Sequence, residues 1–419
     1  MISETCLLPS RPYALYPIPD PLMSKLVKRI PQVAVILEAG NKSTRDMLTG
    51  ITNYARIHGP WALPIIEGKG RGQRLYQFDV WGGTGIIGLI QSPDVADYIL
   101  KANLPTVIID PEDEFQPPHP LSKLSTVSCD TEAIGRFAAD YFMAMEFKHY
   151  GFVGEINNVH WSRYRGQAFQ EQLQKAGFNC HVYGSPPNNE ARDWALEHGR
   201  LSQWLKSLPK PIAILAGMDA RGHQVIEACL NSGISVPYEV AVLGVDNDEL
   251  LCESTFPPMS SILMDAKDVF FYAAEILDRL MQRKIRKKTD LRYGPKCVVT
   301  RRSTDPVNCV DKLVSQALDF IWINSGRPFN ISHIAGMLDI SRRTLEKRFR
   351  EKVGTSISQE INRIRLEKAK SLLLTTDLSI SEITALCGYN ADSYLGILFK
   401  KKYGMTMTKY RQTHLFRDA

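Results

Sequence analysis

The last hundred residues of the chain repeat themselves, and few folds accommodate such a repeat. Ile331-Ser-His-Ile334-Ala335 returns 49 residues later as Ile380-Ser-Glu-Ile383-Thr384, and Phe349-Arg-Glu-Lys-Val-Gly354 returns 50 residues later as Phe399-Lys-Lys-Lys-Tyr-Gly404. Each copy reads as a short helix, a turn and a second amphipathic helix. In the first copy the turn is Leu338-Asp-Ile340, with Ser341 placed to cap the second helix; in the second copy the turn centres on Gly388. The second helix of copy one sets Leu345 and Phe349 on one stripe. Its other faces carry Arg342, Arg343, Glu346, Lys347, Arg348 and Arg350, the groups that bond phosphates and base edges. Between the copies, Ser356–Leu374 predicts a helix of about 28 Å. Two recognition helices so separated suit successive major grooves, which repeat at about 34 Å. For either copy alone, a helical protein-interaction domain is the alternative.

Charge supports the nucleic-acid reading. Val307–Ala419 holds 18 Lys+Arg against 11 Asp+Glu, whereas residues 1–306 hold 33 against 34. The positive excess is therefore confined to the repeated end, and double-stranded DNA is the expected partner. A second basic stretch, Arg279–Arg302, fits a solvated helix end followed by a return strand at Cys297–Thr300 better than a phosphate contact.

From Pro31 to about residue 300 the pattern alternates. Apolar runs at Val33–Leu37, Gly85–Ile90, Thr106–Ile109, Phe152–Glu155, Ile212–Ala216 and Val240–Val245 predict buried parallel strands. Helical periodicity separates them at Arg45–His58, Asp94–Ala102, Thr131–Phe147, Ser162–Ala176, Glu190–Leu208, Ala220–Ser232 and Ala266–Arg283. So many βα units exceed one comfortable sheet, and two doubly wound lobes facing a cleft are expected. The expected domains are a proline-rich leader at 1–30, an α/β sensing domain at 31–304 and a helical domain at 312–415. The leader lacks the basic start and apolar run of a signal peptide, and no run reaches the length of a membrane span. Eight cysteines without CxxC pairing or histidines at ligand spacing fit free thiols in a cytoplasmic protein.

Sequence motifs refine both halves. Ser341-x-x-x-Leu345-x-x-x-Phe349, Gly354, Arg365-Leu366-x-x-Ala369-x-x-Leu372-Leu373, Ile380-x-x-Ile383, Cys387-Gly388-Tyr389 and Phe399-Lys400-x-x-x-Gly404-x-Thr406-x-x-x-Tyr410-Arg411 resemble the AraC-type DNA-binding domain. The resemblance implies base contacts from Arg343, Glu346 and Lys347, with Arg342 beside them. In the second copy Ser393, Tyr394 and Lys400 remain available. There the family's usual Arg is Ile397, its neighbour is Gly396, and the usual Pro is Met407. Copy one is therefore expected to carry most of the base readout.

The body resembles the periplasmic-binding-protein-like sensor of LacI-type repressors. The match runs through Trp161-Ser-x-x-Arg165-x-x-Ala168-Phe169, Ala216-x-x-Asp219-Ala220-Arg221, Val236-Pro237, Gly244-Val-Asp246-Asn247-Asp248-Glu249-Leu250 and Arg301-Arg302-Ser303-Thr304-Asp305. Fused to an AraC-type end, it is similar to regulators of the xylose operon type. The implied architecture is an α/β two-lobed periplasmic-binding-protein-like domain followed by an all-α double helix-turn-helix domain. The implied function is a sugar-responsive activator of a pentose operon, dimeric, with D-xylose among the candidate effectors and RNA polymerase as a further contact.

Sugar recognition calls for carboxylates that accept from hydroxyl pairs, Arg as a donor fork and an aromatic face. Asp219 and Asp246 follow apolar strands, Arg165 starts a helix, Arg45 is expected on the loop after the first strand, and Trp161 offers a ring. An Asp after a strand also serves as a helix cap, and Trp161 as simple core. The xylose regulators carry a Tyr and an Asp before the position of Arg45; here Ser43 and Thr44 stand there, which puts the sugar preference in question.

Enzyme and cofactor signatures fail on context. Gly83-Thr-Gly85-Ile-Ile-Gly88 runs into a strand instead of opening a helix, so no dinucleotide is expected. Gly68-Lys-Gly-Arg-Gly72 lacks the GK[ST] ending, and Asp246-Asn-Asp248-Glu249 lacks the glycine and distant Glu of a calcium loop. No cofactor, metal or catalysis is expected. A regulator with a vestigial pocket and an enzyme on a binding-protein scaffold are the two alternatives.

Overall fold

The structure is a computed structural model. It describes residues 30–37, 40–66, 82–90, 92–111, 113–156, 159–184, 194–304, 311–376 and 378–415. The leader up to residue 29, the 68–72 glycine turn and Asp305 lie outside the described residues.

In chain order the strands are β1 Val33–Ile36, β2 Ile65–Ile66, β3 Gly85–Leu89, β4 Thr106–Ile109, β5 Ser125–Cys129, β6 His149–Val153, β7 Cys180–Tyr183, β8 Ile212–Ala216, β9 Val240–Val245, β10 Ser260–Met264, β11 Asp290–Tyr293 and β12 Pro295–Val299. The helices of the α/β part are α1 Lys42–His58, α2 Pro93–Ala102, α3 Thr131–Ala144, α4 His160–Lys175, α5 Trp194–Ser207, α6 Asp219–Asn231, α7 Glu249–Ser254 and α8 Ala266–Met281. Seven more follow: α9 Lys312–Ile323, α10 Ile331–Met337, α11 Arg342–Val353, α12 Ile357–Thr375, α13 Ile380–Leu386, α14 Asp392–Tyr403 and α15 Met407–Leu415.

Two six-stranded sheets result, in the orders β11-β5-β4-β3-β1-β2 and β12-β10-β9-β8-β6-β7. The first five strands of each half adopt the same doubly wound order, with parallel pairing from β2 through β5 and from β7 through β10. The chain divides into two compact units, Met1–Asp130 with Met264–Gly294, and Thr131–Leu263 with Pro295–Ala419. Each sheet buries its central strands completely: Val33–Ile36 in the first, Ile212–Ala216 and Val240–Leu243 in the second. This is why those runs read as continuous apolar segments.

Three local readings change. The strand expected at Phe152–Glu155 is His149–Val153, and Gly154 and Glu155 begin the following loop. The helix expected to reach Phe147 stops at Ala144. Arg45 is not on a loop: Asn41 accepts a hydrogen bond from the Thr44 amide at 2.9 Å, which starts α1 before Arg45 and sets that residue in its first turn.

Both helical halves share α12. Ile357, Ile361 and Ile364 enter one core with Val314, Leu318, Ile334, Leu345 and Phe349. Leu366, Ala369 and Leu373 enter a second with Ile383, Leu395, Phe399 and Tyr410. Where the cores meet, Arg365 donates to the Ser325 carbonyl at 3.1 Å and the Arg327 carbonyl at 2.7 Å. Gly388, at φ 71°, passes so close that a Cβ there would lie 2.8 Å from both the Arg365 guanidinium and the Ser325 carbonyl.

Candidate functional site

The carboxyl ends of β6, β8 and β9, with the first residues of β10, gather one group of polar side chains. Asp219 opens α6 after β8, is 2% exposed, and accepts from the Ser261 hydroxyl at 2.5 Å and the Asp248 amide at 2.6 Å. It is therefore not the cap of its own helix; its carboxylate holds the turn that follows β9. A Cβ on Gly244 would meet the Asp219 oxygen at 2.1 Å, so the penultimate residue of β9 is a glycine. Burial pushes the Asp219 carboxyl up to about 7, and the neighbouring Asp246 charge adds to the shift.

The turn itself is strained. Asp246 and Asn247 take φ of 98° and 49°, conformations that side chains disfavour. The Asp246 amide donates to the Ile262 carbonyl at 3.0 Å, the Asn247 amide to Ser261, and Arg301 donates to the Asn247 side chain at 2.9 Å. Asp248 caps α7, accepting from the Leu250 amide at 3.2 Å. Its carboxylate is thereby spent on structure, and among the described residues no cluster of metal-ligating side chains is assembled.

Arg165 lies in the second turn of α4 and is 4% exposed. One terminal nitrogen donates to the Gly217 carbonyl, the guanidinium sits 5.0 Å from the centre of the Trp161 ring, and its buried Nε–H has no partner. Trp161 is half-buried, with Arg165 against its ring. Arg221, two residues after Asp219, is structural: it pairs with buried Glu197 at 3.0 Å and donates to the Gly154 carbonyl at 2.9 Å. The structure thus brings Trp161, Arg165, Asp219 and Asp246 to the strand ends of the second sheet. Arg45 belongs to the other unit, where it donates to the Gly40 carbonyl at 2.9 Å. Ser261, Asn247 and Arg301 were missed as site builders. Asn247 and Arg301 stood inside the matched motifs without a role, and the signal for Ser261 was the serine pair that opens an otherwise apolar strand, Ser260-Ser261.

The helical repeat presents its second helices alike. Leu345 and Phe349 of α11 and Leu395 and Phe399 of α14 are fully buried. Arg342, Arg343, Lys347, Ser393, Tyr394 and Lys400 are exposed, and Glu346 is half-buried. Ser341 caps α11, accepting from the Thr344 amide at 3.1 Å. Arg342 and Glu346 pair at 2.9 Å along the exposed face. Both helices end on a left-handed glycine, Gly354 and Gly404. The turn of the second copy is one residue longer, which is why the repeat offset grows from 49 to 50 between Asp339/Gly388 and Leu345/Leu395.

This pairing of an α/β ligand-type scaffold with two exposed amphipathic helices, each ended by a left-handed glycine, defines a DNA-binding regulator of transcription. Residues 139–304 match the periplasmic binding protein-like domain and residues 334–413 a helix-turn-helix domain. The chain is 28% identical over 389 residues to the xylose operon regulatory protein of Haemophilus influenzae, covering 91% of this chain and 98% of that protein. It is equally similar to the xylose operon regulatory protein of Escherichia coli K12, covering 97% of it. A solved structure of the xylose-binding transcription activator XylR superposes with a TM-score of 0.77 at 27% identity, over 91% of this chain and 98% of that one. The chain is thus similar over nearly its whole length to regulators of the xylose operon, with a periplasmic binding protein-like domain followed by a helix-turn-helix domain.

Proposed function

We propose that the chain is a sugar-responsive transcription activator whose ligand is held by Arg165, Asp246 and Trp161, with Asp219 positioning the Asp246 turn. The observation that carries this is the buried Arg165 Nε–H with no partner. An orphaned buried donor costs about 1–3 kcal/mol unless something bonds it. A ligand hydroxyl does so, and Asp246, whose backbone is held at φ 98°, adds a carboxylate to the same strand ends. D-xylose is the first sugar to test, because two relatives are named for the xylose operon and the related structure is described as xylose-binding. Ser43 and Thr44 argue for a shifted preference: Thr44 is buried and its hydroxyl bonds back to Asn41 at 3.0 Å. The partner is double-stranded operator DNA, bound by a homodimer in the cytoplasm, with RNA polymerase recruited for activation.

The test is a thermal-shift screen of the full chain with pentoses, hexoses and sugar acids. At about 100 times its Kd a specific ligand adds about 2.7 kcal/mol of stability. The expected result is a shift with one sugar that Asp246→Ala and Arg165→Met each abolish. No shift with any sugar, alongside intact salt-sensitive DNA binding, would instead mark a vestigial pocket.

A further inference from the structure

The second recognition helix is built for different chemistry from the first. An offset of 50 sets Arg343 against Ser393, Thr344 against Tyr394, Glu346 against Gly396 and Lys347 against Ile397. The buried stripe is the same in both, so the fold turns these positions outward in both. On α11 that face is charged; on α14 it leaves Ile397 67% and Tyr394 50% exposed. Folding gains nothing from either exposure. Gly396 is equally unexplained by packing: a Cβ there would meet nothing within 4 Å, yet glycine is the poorest helix former after proline. Tyr394 is steadied by an edge contact to Tyr389, with ring centres 5.7 Å apart. Lys400 and Lys401 are exposed on the same helix.

An apolar centre beside cations, on a helix flattened by Gly396 and Ser393, matches one element of the DNA major groove. The thymine C5-methyl is the apolar group that base edges display there, and phosphates flank it. Ile397 has no donor or acceptor and cannot read any other edge. We propose that α14 reads thymine through its C5-methyl, with Ile397 and Tyr394 in contact with the methyl groups and Gly396 allowing the helix to sit deep in the groove. The proposal rests on the DNA-binding reading above and adds the base it selects.

The experiment first selects duplexes from a random pool with the full chain, then replaces each thymine in turn by deoxyuridine, which lacks only the methyl. At one or two thymines of one half-site the wild type should lose about fourfold in affinity per methyl. Ile397→Ala should bind more weakly and lose that sensitivity, while Lys347→Ala keeps it. Sensitivity at no position, or sensitivity unchanged in both Ile397→Ala and Tyr394→Ala, would overturn the proposal while leaving DNA binding in place. So would an Ile397→Ala protein with unchanged DNA affinity and lost transcription activation, which would assign the surface to a protein partner. Failure to select any sequence would remove the DNA-binding reading itself and this proposal with it.

Discussion

Asp319 on the first helix of the helical domain accepts a hydrogen bond from Ser235 of the α/β domain at 3.0 Å. Ser315, one turn earlier, lies 3.1 Å from the same hydroxyl. Tyr238 of the α/β domain is buried in the core of the first helical half, and its hydroxyl accepts from Arg302. The second α/β unit and the DNA-binding domain thus share apolar and polar contacts, so a displacement of the 235–238 loop reaches α9 directly.

Burial pushes the Asp319 carboxyl up to about 6, the Glu239 charge adding and the Ser235 bond and Arg302 charge opposing. Asp219 is raised further, to about 7. An unfolded aspartate titrates near 3.9, so between about pH 4 and 7 the native state holds protons that the unfolded chain has released. Stability therefore falls as pH rises through that window and levels off above it. Each group contributes up to about 1.4 kcal/mol per pH unit. Melting temperatures from pH 4.5 to 8 should show this decline, flatter in Asp319→Asn and flatter still in Asp219→Asn. Slopes equal to wild type in both variants would contradict the assignment.

Gly354 and Gly388 are both left-handed, but only Gly388 is enclosed. Gly354→Ala should cost about 1 kcal/mol, the backbone penalty alone. At Gly388 the added methyl must also displace Arg365 from two carbonyls, and a loss of about 3 kcal/mol is expected. Thermal unfolding of the two variants compares them directly, and equal losses would show that the Arg365 junction yields without cost.

Lys347 is exposed and held only by a 3.9 Å approach to Glu351. As a base-edge donor it should be worth about 1–3 kcal/mol of specific affinity, roughly five- to over a hundredfold. Lys347→Ala is expected to weaken binding to a selected duplex more than Ile397→Ala does. If the lysine instead serves a phosphate, its removal lowers the salt slope by about one and leaves specificity unchanged. Affinity on selected and scrambled duplexes at several salt concentrations separates the two roles.

The fold was legible wherever burial was complete. Val33–Ile36 and Ile212–Ala216 face apolar neighbours on both sides and read as unbroken apolar runs. The edge strands Cys180–Tyr183 and Asp290–Tyr293 did not, because exposed positions interrupt them. Ser125–Cys129 and Ser260–Met264 were hidden differently. Ser125, Ser260 and Ser261 are buried but bonded, Ser125 to the Thr289 amide, Ser260 to the Arg301 backbone and Ser261 to Asp219. At the site, residue types pointed to Asp219 and Asp246 alike. Only geometry shows that the Asp219 oxygens hold the turn that follows β9. The Ser235–Asp319 contact spans 84 residues of sequence and leaves no local pattern.

The shared helix α12 has an evolutionary consequence. One residue inserted or deleted between Ile364 and Leu366 would rotate one reading head about 100° against the other and slide it about 1.5 Å. It would also turn one apolar stripe away from its core. The spacing between the two helix-turn-helix units is therefore inherited as a constant, whatever sequence either unit comes to bind.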